Sequence, residues 1–170
     1  MLEIAVADTG PVLHLAEIGC LRLFELFERL LISQQVRAEL RALSVLSRAI
    51  TILGERLRIE EVLPYEISEA QRNAADFKLQ KADLSVIALA HKVSPNIVLT
   101  DDLRLRKALE SQRFTVVGSV GVLVRAFRMG LINRAELEDA VDRLLDDSSL
   151  YTSSVFRSLV RGIIDDHGIP

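Results

Sequence analysis

The sequence predicts an α/β fold, a three-layer α/β/α sandwich with a mostly parallel central sheet and extra C-terminal helices. Three observations lead to this prediction. Short and almost wholly apolar runs recur along the chain, and such runs are typical of strands buried on both faces. Helical patterns separate these runs, which favours strand–helix units and parallel pairing. The chain has 170 residues, of which 49% are hydrophobic, enough for one domain with a sizeable core.

The first half of the chain is predicted to contain three strand–helix units. The run LEIAVA predicts the first strand, and Pro11 suits the first turn of the helix PVLHLAEIG, which CLRLFELF follows with a second helical stripe. The run RLLIS predicts the second strand, and Ser33 is expected to cap the helix QQVRAELRAL. Residues 44–56 are predicted to be helical. The run RLRIEEVL then predicts a strand that ends at Pro64, and Ser68 is expected to cap the helix EAQRNAADFKL.

The second half of the chain repeats this alternation and then becomes helical. The segment ADLSVIALAHKV predicts a helix that is mostly buried, and NIVLT predicts a strand that leads into Asp101 and Asp102. An amphipathic helix, LRLRKALESQ, and a last core strand, FTVVG, follow. The segment VGVLVRAFRMG predicts a helix that ends at Gly130, and two more helices are predicted over 133–146 and 151–165.

The composition of the chain limits the classes of protein to which it can belong. The formal net charge of −3 gives no global basic signature, so strong non-specific binding to nucleic acid is not implied, although a local basic patch is compatible with it. The single cysteine, Cys20, excludes an internal disulfide. No run reaches the roughly 18 apolar residues of a membrane span, and no basic region precedes the first apolar run. We expect a cytoplasmic protein, with a main domain over 1–132 and a C-terminal helical extension, 133–170, packed on it.

Acidic residues follow two of the predicted strands, at the edge where α/β sheets bind ligands. Asp8 and Asp101 come at strand ends, Glu39 lies beside the apolar stripe of its helix, and Asp83 begins the buried helix. Each alone is compatible with a cap, a turn or a solvated acid. Together they favour a cation, because clustered carboxylates repel one another and all-oxygen ligands suit Mg²⁺ or Mn²⁺. The three histidines have no zinc-like spacing and are interpreted as surface or packing residues: His14, His91 and His167.

Five short sequence motifs, and the order in which they occur, resemble those of the PIN-domain nucleases, and most closely those of the VapC-toxin-like branch of small prokaryotic proteins. They are VADTGPVLHLAEIG, ISQQVRAEL, ADLSVIALA, VLTDDLRLRKAL and VGSVGVLVRAFRMGLI, and they span roughly residues 1 to 132. The resemblance implies that the family's acidic quartet is Asp8, Glu39, Asp83 and Asp101. It also implies two supporting residues, a hydroxyl after the first acid and a neighbour that shares the fourth role: Thr9 and Asp102.

This resemblance implies an endoribonuclease that hydrolyses RNA phosphodiester bonds with Mg²⁺ or Mn²⁺, as the toxin half of a toxin–antitoxin pair. Asp8, Asp83 and Asp101 are expected to ligate the metal, and Glu39 to bind it through a water or to orient the attacking water. The expected partners are an RNA substrate, a small antitoxin protein and a second copy of the chain in a homodimer. Four arginines near the rim are candidates for contacts with RNA phosphates: Arg37, Arg41, Arg104 and Arg106.

Other functions stay open at this point. The first alternative is a PIN fold without catalytic activity that binds RNA or protein. The second is a receiver-like phosphoacceptor domain, which also places strand-end acids around Mg²⁺. That domain requires paired acids after the first strand and a late lysine, whereas Asp8 is followed by Thr9 and FTVVGSVG contains no lysine. The apolar stripes of the last helices are compatible with packing on the domain or with a partner surface.

Overall fold

Five parallel strands form the central sheet within residues 3–150 and 154–166, the parts of the chain that this computed structural model describes. The spatial order is β3-β2-β1-β4-β5, and every neighbouring pair is parallel. The predicted fold class is therefore confirmed, with helices flanking a fully parallel sheet. The strands are β1 (Ile4–Ala7), β2 (Arg29–Ser33), β3 (Leu57–Glu60), β4 (Ile97–Leu99) and β5 (Val116–Val117).

Helices connect successive strands and continue beyond the last one. Their bounds are α1 (Thr9–Glu17), α2 (Gln34–Ala42), α3 (Leu46–Leu53), α4 (Pro64–Asn73), α5 (Lys81–Val93), α6 (Leu103–Ser111), α7 (Ser119–Arg128), α8 (Arg134–Asp146) and α9 (Ser154–Asp166). Two short 3₁₀ helices cover Leu21–Leu26 and Gly54–Arg56. Helix α5 is buried from Leu84 to Ala90 without interruption, as its apolar sequence predicts, and it packs on β1 and β2.

Three elements differ from the sequence-based predictions. The segment CLRLFELF forms a 3₁₀ helix rather than an α-helix. Helix α4 begins at Pro64 instead of after Ser68, since proline suits the first helical position and the side chain of Glu66 accepts a hydrogen bond from Leu63 N (2.7 Å). Ser68 lies inside the helix, where its hydroxyl donates to Pro64 O (3.0 Å). Strand β5 is only two residues long and half-buried, because it lies at the edge of the sheet.

The central strand β1 lies where the strand order reverses. The chain continues from β1 to β2 and β3 on one side, and β4 and β5 lie on the other. Ala7 pairs with Leu99, so the residues that follow β1 and β4 lie side by side at the carboxyl edge. This is the position at which parallel α/β sheets bind ligands. The order also differs from the 2-1-3-4-5 order of receiver-like folds, in which β3 rather than β4 borders β1.

The C-terminal helices add to the same core. The apolar side of α8 is buried against α1 and α7, and Val160 of α9 is also buried. The buried residues of α8 are Leu137, Ala140, Val141, Leu144 and Leu145. Most of the apolar stripe of α8 therefore packs inside this chain. Among the described residues, no helix has both the length and the apolar character required to cross a membrane.

Candidate active site

Asp8 lies at the carboxyl end of β1, beside the end of β4. Its backbone N–H donates to Leu99 O (2.9 Å), which continues the pairing of the two strands, and its side chain caps α1. The carboxylate accepts hydrogen bonds from the backbone N–H of Thr9 (2.7 Å) and from the hydroxyl of Thr100 (2.9 Å). Asp8 is only 7% exposed, so an acid is buried at the point where the strand order reverses.

The carboxylates of Asp8, Asp83 and Glu39 interact electrostatically at this edge of the sheet. Burial raises the pKa of Asp8 from 3.8 to about 7. The hydrogen bonds from Thr100 and Thr9 lower this pKa, and the charges of Asp83 and Glu39 raise it. No basic side chain of the described residues contributes to lowering it. The negative charge of Asp8 is therefore stabilised by two hydrogen bonds and by no neighbouring cation.

Glu39 reaches this edge from α2. Ser33 ends β2 and caps α2 as predicted, since its hydroxyl accepts a hydrogen bond from Val36 N (3.1 Å). Val36 and Leu40 bury the inner face of the helix, and Glu39 lies beside that face. Its carboxylate accepts a hydrogen bond from the hydroxyl of Thr9. Thr9 therefore connects α2 to the start of α1, directly beside the first acid.

Asp83 belongs to the first turn of α5 and is half-buried. Its carboxylate accepts a hydrogen bond from Gln80 N (2.7 Å), which stabilises the start of the helix. Burial is the largest cause of its raised pKa, and the charges of Asp102 and Glu39 raise it further. The hydrogen bond from Gln80 and the charge of Arg104 lower it. Asp83 therefore stabilises the start of α5 and also belongs to the group of interacting acids.

A buried hydroxyl pair connects the two helices that carry Glu39 and Asp83. The hydroxyl oxygens of Ser33 and Ser85 lie 2.7 Å apart, and both residues are fully buried. Ser85 also donates to Ala82 O (2.6 Å). This contact fixes the end of β2 against the first turn of α5, so the starts of α2 and α5 lie together.

Asp101, the predicted fourth acid, is held by α1 and α7. Its Oδ2 lies 2.7 Å from Nδ1 of His14 and accepts a hydrogen bond from the hydroxyl of Ser119 (2.5 Å). Its Oδ1 accepts a hydrogen bond from Ser119 N (2.7 Å). A Cβ atom at Gly118 would lie only 2.7 Å from Oδ1, so the adjoining turn leaves no room for a side chain. Both oxygens of Asp101 are therefore engaged by the protein.

Asp102 is oriented differently from its neighbour. It is exposed and caps α6 by accepting a hydrogen bond from Leu105 N (2.8 Å). Its own N–H donates to the hydroxyl of Thr100 (3.1 Å), and its charge raises the pKa of Asp83. The strand end therefore places Asp101 against α1 and α7, whereas the charge of Asp102 acts on Asp83.

Comparison with known proteins assigns this fold to a family. A family model described as a PIN domain matches residues 4–164. The chain belongs to the PIN-domain family. The match to this PIN domain extends through α8 and into α9, beyond the residues 1–132 that carry the sequence resemblance. PIN domains have a nuclease-type fold and typically use divalent metal ions. A comparison with curated proteins finds no significant match to this chain.

The acids of this PIN domain offer the right chemistry for a hard divalent cation. Asp8, Glu39, Asp83 and Asp102 provide only oxygen donors, which Mg²⁺ and Mn²⁺ prefer. Within residues 3–150 and 154–166, no three acidic, histidine or cysteine side chains already converge closely enough to hold an ion. Neighbouring carboxylates raise each other's pKa, as Asp83 and Glu39 do for Asp8, and a bound cation would offset that effect. The donor set therefore fits a divalent cation, and binding requires these side chains to move together.

The four candidate arginines of the PIN domain have different surroundings. Arg106 donates to the carbonyls of Val116 (3.1 Å) and Thr100 (3.3 Å), so it connects the end of β4 to β5. Arg104 is exposed, and its charge lowers the pKa of Asp83. It is therefore the candidate whose charge reaches the acids. The other two line a groove between α2 and α3: Arg37 and Arg41.

Four residues of the site region were not identified from the sequence. Thr100 donates to Asp8, and its place directly after an apolar strand gave a usable signal. His14, interpreted as a surface or packing histidine, is buried and lies 2.7 Å from Asp101, a partner 87 positions away that the sequence alone does not reveal. Ser119 also binds Asp101 from a distant helix. Gln35 lies one helical turn before Glu39, and its buried Oε1 has no hydrogen-bond partner within the described chain.

Proposed function

We propose that this protein is an endoribonuclease of PIN type that hydrolyses RNA phosphodiester bonds with Mg²⁺ or Mn²⁺. The observation that carries the proposal is Asp8, a buried carboxylate whose pKa is about 7 and which interacts with Asp83 and Glu39 without a compensating basic side chain among the described residues. A bound divalent cation would supply the missing positive charge. Membership of the PIN-domain family supports the same function.

Four carboxylates are proposed to hold the metal. Asp8 and Asp83 would be direct ligands, Glu39 would bind directly or through a water, and Asp102 would take the fourth role. We assign the fourth role to Asp102 because Asp101 is engaged by His14 and Ser119, whereas the charge of Asp102 already acts on Asp83. A divalent ion held by these residues would make a bound water molecule more acidic and would offset the negative charge of the scissile phosphate.

The surrounding residues of the chain position these acids. The hydroxyl of Thr100 and the N–H of Thr9 fix the two oxygens of Asp8. The hydroxyl of Thr9 holds the carboxylate of Glu39, which would otherwise be free to point into solvent. Arg104, exposed and close enough to lower the pKa of Asp83, would contact a phosphate of the substrate at the rim.

The biological setting belongs to the same proposal. The resemblance of the five sequence motifs to the VapC-toxin-like branch supports the proposal that this protein is the toxin half of a toxin–antitoxin pair, with a small antitoxin protein as its inhibitor. A homodimer and a cytoplasmic location are proposed on the same basis, and the single cysteine fits a reducing compartment.

Calorimetric titration of Mn²⁺ into the wild type and the Asp8→Asn variant tests the proposal. We expect binding to the wild type and its loss in Asp8→Asn, since the variant lacks the carboxylate at the centre of the set. Asp76→Asn is the matched control, because Asp76 is an exposed acid in the segment between α4 and α5. Mn²⁺-dependent cleavage of single-stranded RNA by the wild type and the control alone would complete the test. Equal Mn²⁺ binding by all three proteins would contradict the proposal.

A second function is a PIN fold that binds RNA or protein without cleaving it. One observation favours it: among the described residues, no three potential ligands converge closely enough to hold an ion. This function predicts no Mn²⁺ binding and no cleavage, although RNA binding in metal-free buffer would persist. The calorimetric titration therefore separates the two functions before any substrate is known.

A further inference from the structure

A surface groove lies between α2 and α3, apart from the acids. Its volume is about 520 Å³, and it is lined by Arg37, Arg41, Ser44, Leu46, Ser47 and Ile50. Leu46 is buried and forms the apolar floor of the groove, whereas Ile50 lines the groove and is 47% exposed. Two guanidinium groups and two hydroxyl groups therefore surround a small apolar surface.

The charge of this groove is opposite to that of the whole protein. The segment 34–53, which contains α2 and α3, has three arginines and one glutamate, hence a net charge of +2, while the chain has −3. No acidic residue lines the groove. Arg37 and Arg41 are exposed, and neither forms an ion pair or hydrogen bond with another described residue. Both are therefore available to bind an anion.

The two arginines act on the same side of α2. They are separated by four residues, which places them one turn apart on one face of the helix. Glu39 lies between them in sequence, and residues two apart on a helix do not share a face. The carboxylate of Glu39 indeed contacts Thr9 at the acidic edge. The groove and the acids thus lie on different flanks of α2, separated by about the 10 Å width of a helix.

We propose that this α2–α3 groove binds the phosphodiester backbone of single-stranded RNA at a second site, remote from the acids. Arg37 and Arg41 bind successive phosphates, the hydroxyls of Ser44 and Ser47 accept and donate hydrogen bonds at the backbone, and Ile50 contacts a ribose or base. This second site rests on the proposed nuclease function and extends it, because a strand that crosses α2 would be held at the groove on one flank and at the acids on the other. The groove requires no metal.

Fluorescence anisotropy in metal-free buffer tests this second site directly, because cleavage then does not interfere. The probes are a fluorescent uridine oligonucleotide of about twelve nucleotides and one of about three, each titrated at several salt concentrations. The variants are the double substitution Arg37→Gln/Arg41→Gln and the matched control Arg58→Gln/Arg72→Gln. Arg58 and Arg72 are exposed and lie on β3 and α4.

We expect the groove variant to bind the longer oligonucleotide about ten-fold more weakly than the wild type, and the control to bind like the wild type. The slope of log affinity against log salt should fall by about 1.4, since each contact with a single-stranded phosphate contributes about 0.7. Mn²⁺ binding and the thermal midpoint should be unchanged. The short oligonucleotide should bind more weakly overall but lose affinity in the same variant, because its two linking phosphates are enough to contact both arginines.

Three outcomes would overturn the second site. The first is equal binding by the groove variant and the wild type, and the second is no binding of either oligonucleotide to the wild type. The third is a change in self-association of the groove variant, measured by analytical ultracentrifugation, with unchanged RNA affinity, which would assign the surface to a second copy of the chain. All three leave Asp8-dependent Mn²⁺ binding intact, so a failure of the second site is distinguishable from a failure of the nuclease proposal.

Discussion

Replacing Asp8 with asparagine should make the metal-free protein more stable at neutral pH. The pKa of Asp8 is about 7 in the folded chain, against an ordinary value of 3.8, and burial is the main cause. Between these two values the folded protein holds a proton that the unfolded chain has released. The free energy of unfolding therefore falls as the pH rises through this window. Asparagine has no proton to release, so the variant escapes this loss.

The magnitude follows from the size of the shift. A rise from 3.8 to about 7 corresponds to about 4 kcal/mol once the pH lies above the folded-state pKa. Between about pH 5 and about pH 8, the difference between Asp8→Asn and the wild type should grow by about 2 to 3 kcal/mol. The amide preserves the packing, since its oxygen can accept from Thr9 N and the hydroxyl of Thr100 can accept from its nitrogen.

Urea unfolding followed by circular dichroism, in metal-free buffer at several pH values, measures this difference. Asp76→Asn serves as the control for the loss of one negative charge. Saturating Mn²⁺ should stabilise the wild type, by about 2.7 kcal/mol at one hundred times its dissociation constant, and should leave Asp8→Asn unchanged. A difference between variant and wild type that stays constant from pH 5 to pH 8 would refute the reasoning, because Asp8 would then not titrate as a buried acid.

Three further predictions concern the residues around the acids. Asp102→Asn should abolish or strongly weaken Mn²⁺ binding in calorimetry, while the free energy of unfolding should stay unchanged because asparagine is also a good helix cap. Asp101→Asn should instead lower the free energy of unfolding by about 1–3 kcal/mol. The reverse pattern would restore Asp101 as the fourth ligand. Gly118→Ala should destabilise the protein by about 1–3 kcal/mol in urea unfolding, because its Cβ meets the Asp101 carboxylate; unchanged stability would disprove that contact. Ser33→Ala should cost about 1–2 kcal/mol by the same measurement, through the lost cap of α2 and the lost hydrogen bond to Ser85, and a negligible loss would count against those two bonds.

The features that could be predicted from the sequence are those fixed by local pattern. The apolar runs located the strands, and the acid after β1 was located because a buried strand that ends in a carboxylate is visible in a few consecutive letters. Ser33 was identified as a cap because its environment is set within three residues. The start of α4 was misplaced because Pro64 both ends extended structure and suits the first turn of a helix. A local pattern that fits two structures does not choose between them.

The orientation of adjacent acids could not be predicted, because remote residues determine it. Asp101 and Asp102 are consecutive, yet one contacts His14 and Ser119 and the other caps α6. Nothing in the local sequence TDD distinguishes the two acids, since the partners of Asp101 come from α1 and α7. The same holds for Arg106, whose guanidinium is occupied by two carbonyls of the strand ends rather than exposed to a ligand.

The acids at the sheet edge require an explanation beyond the fold itself. Asp8 caps α1 and Asp83 stabilises the start of α5, and serine, threonine or asparagine would cap a helix about equally well without a charge. A buried acid with a raised pKa opposes folding at neutral pH, and two neighbouring carboxylates add to that effect. Local preferences are violated in this way mainly at functional sites. A fold that only bound a partner would gain stability by losing Asp8, so the charge of this residue supports the proposed cation site over the partner-binding alternative.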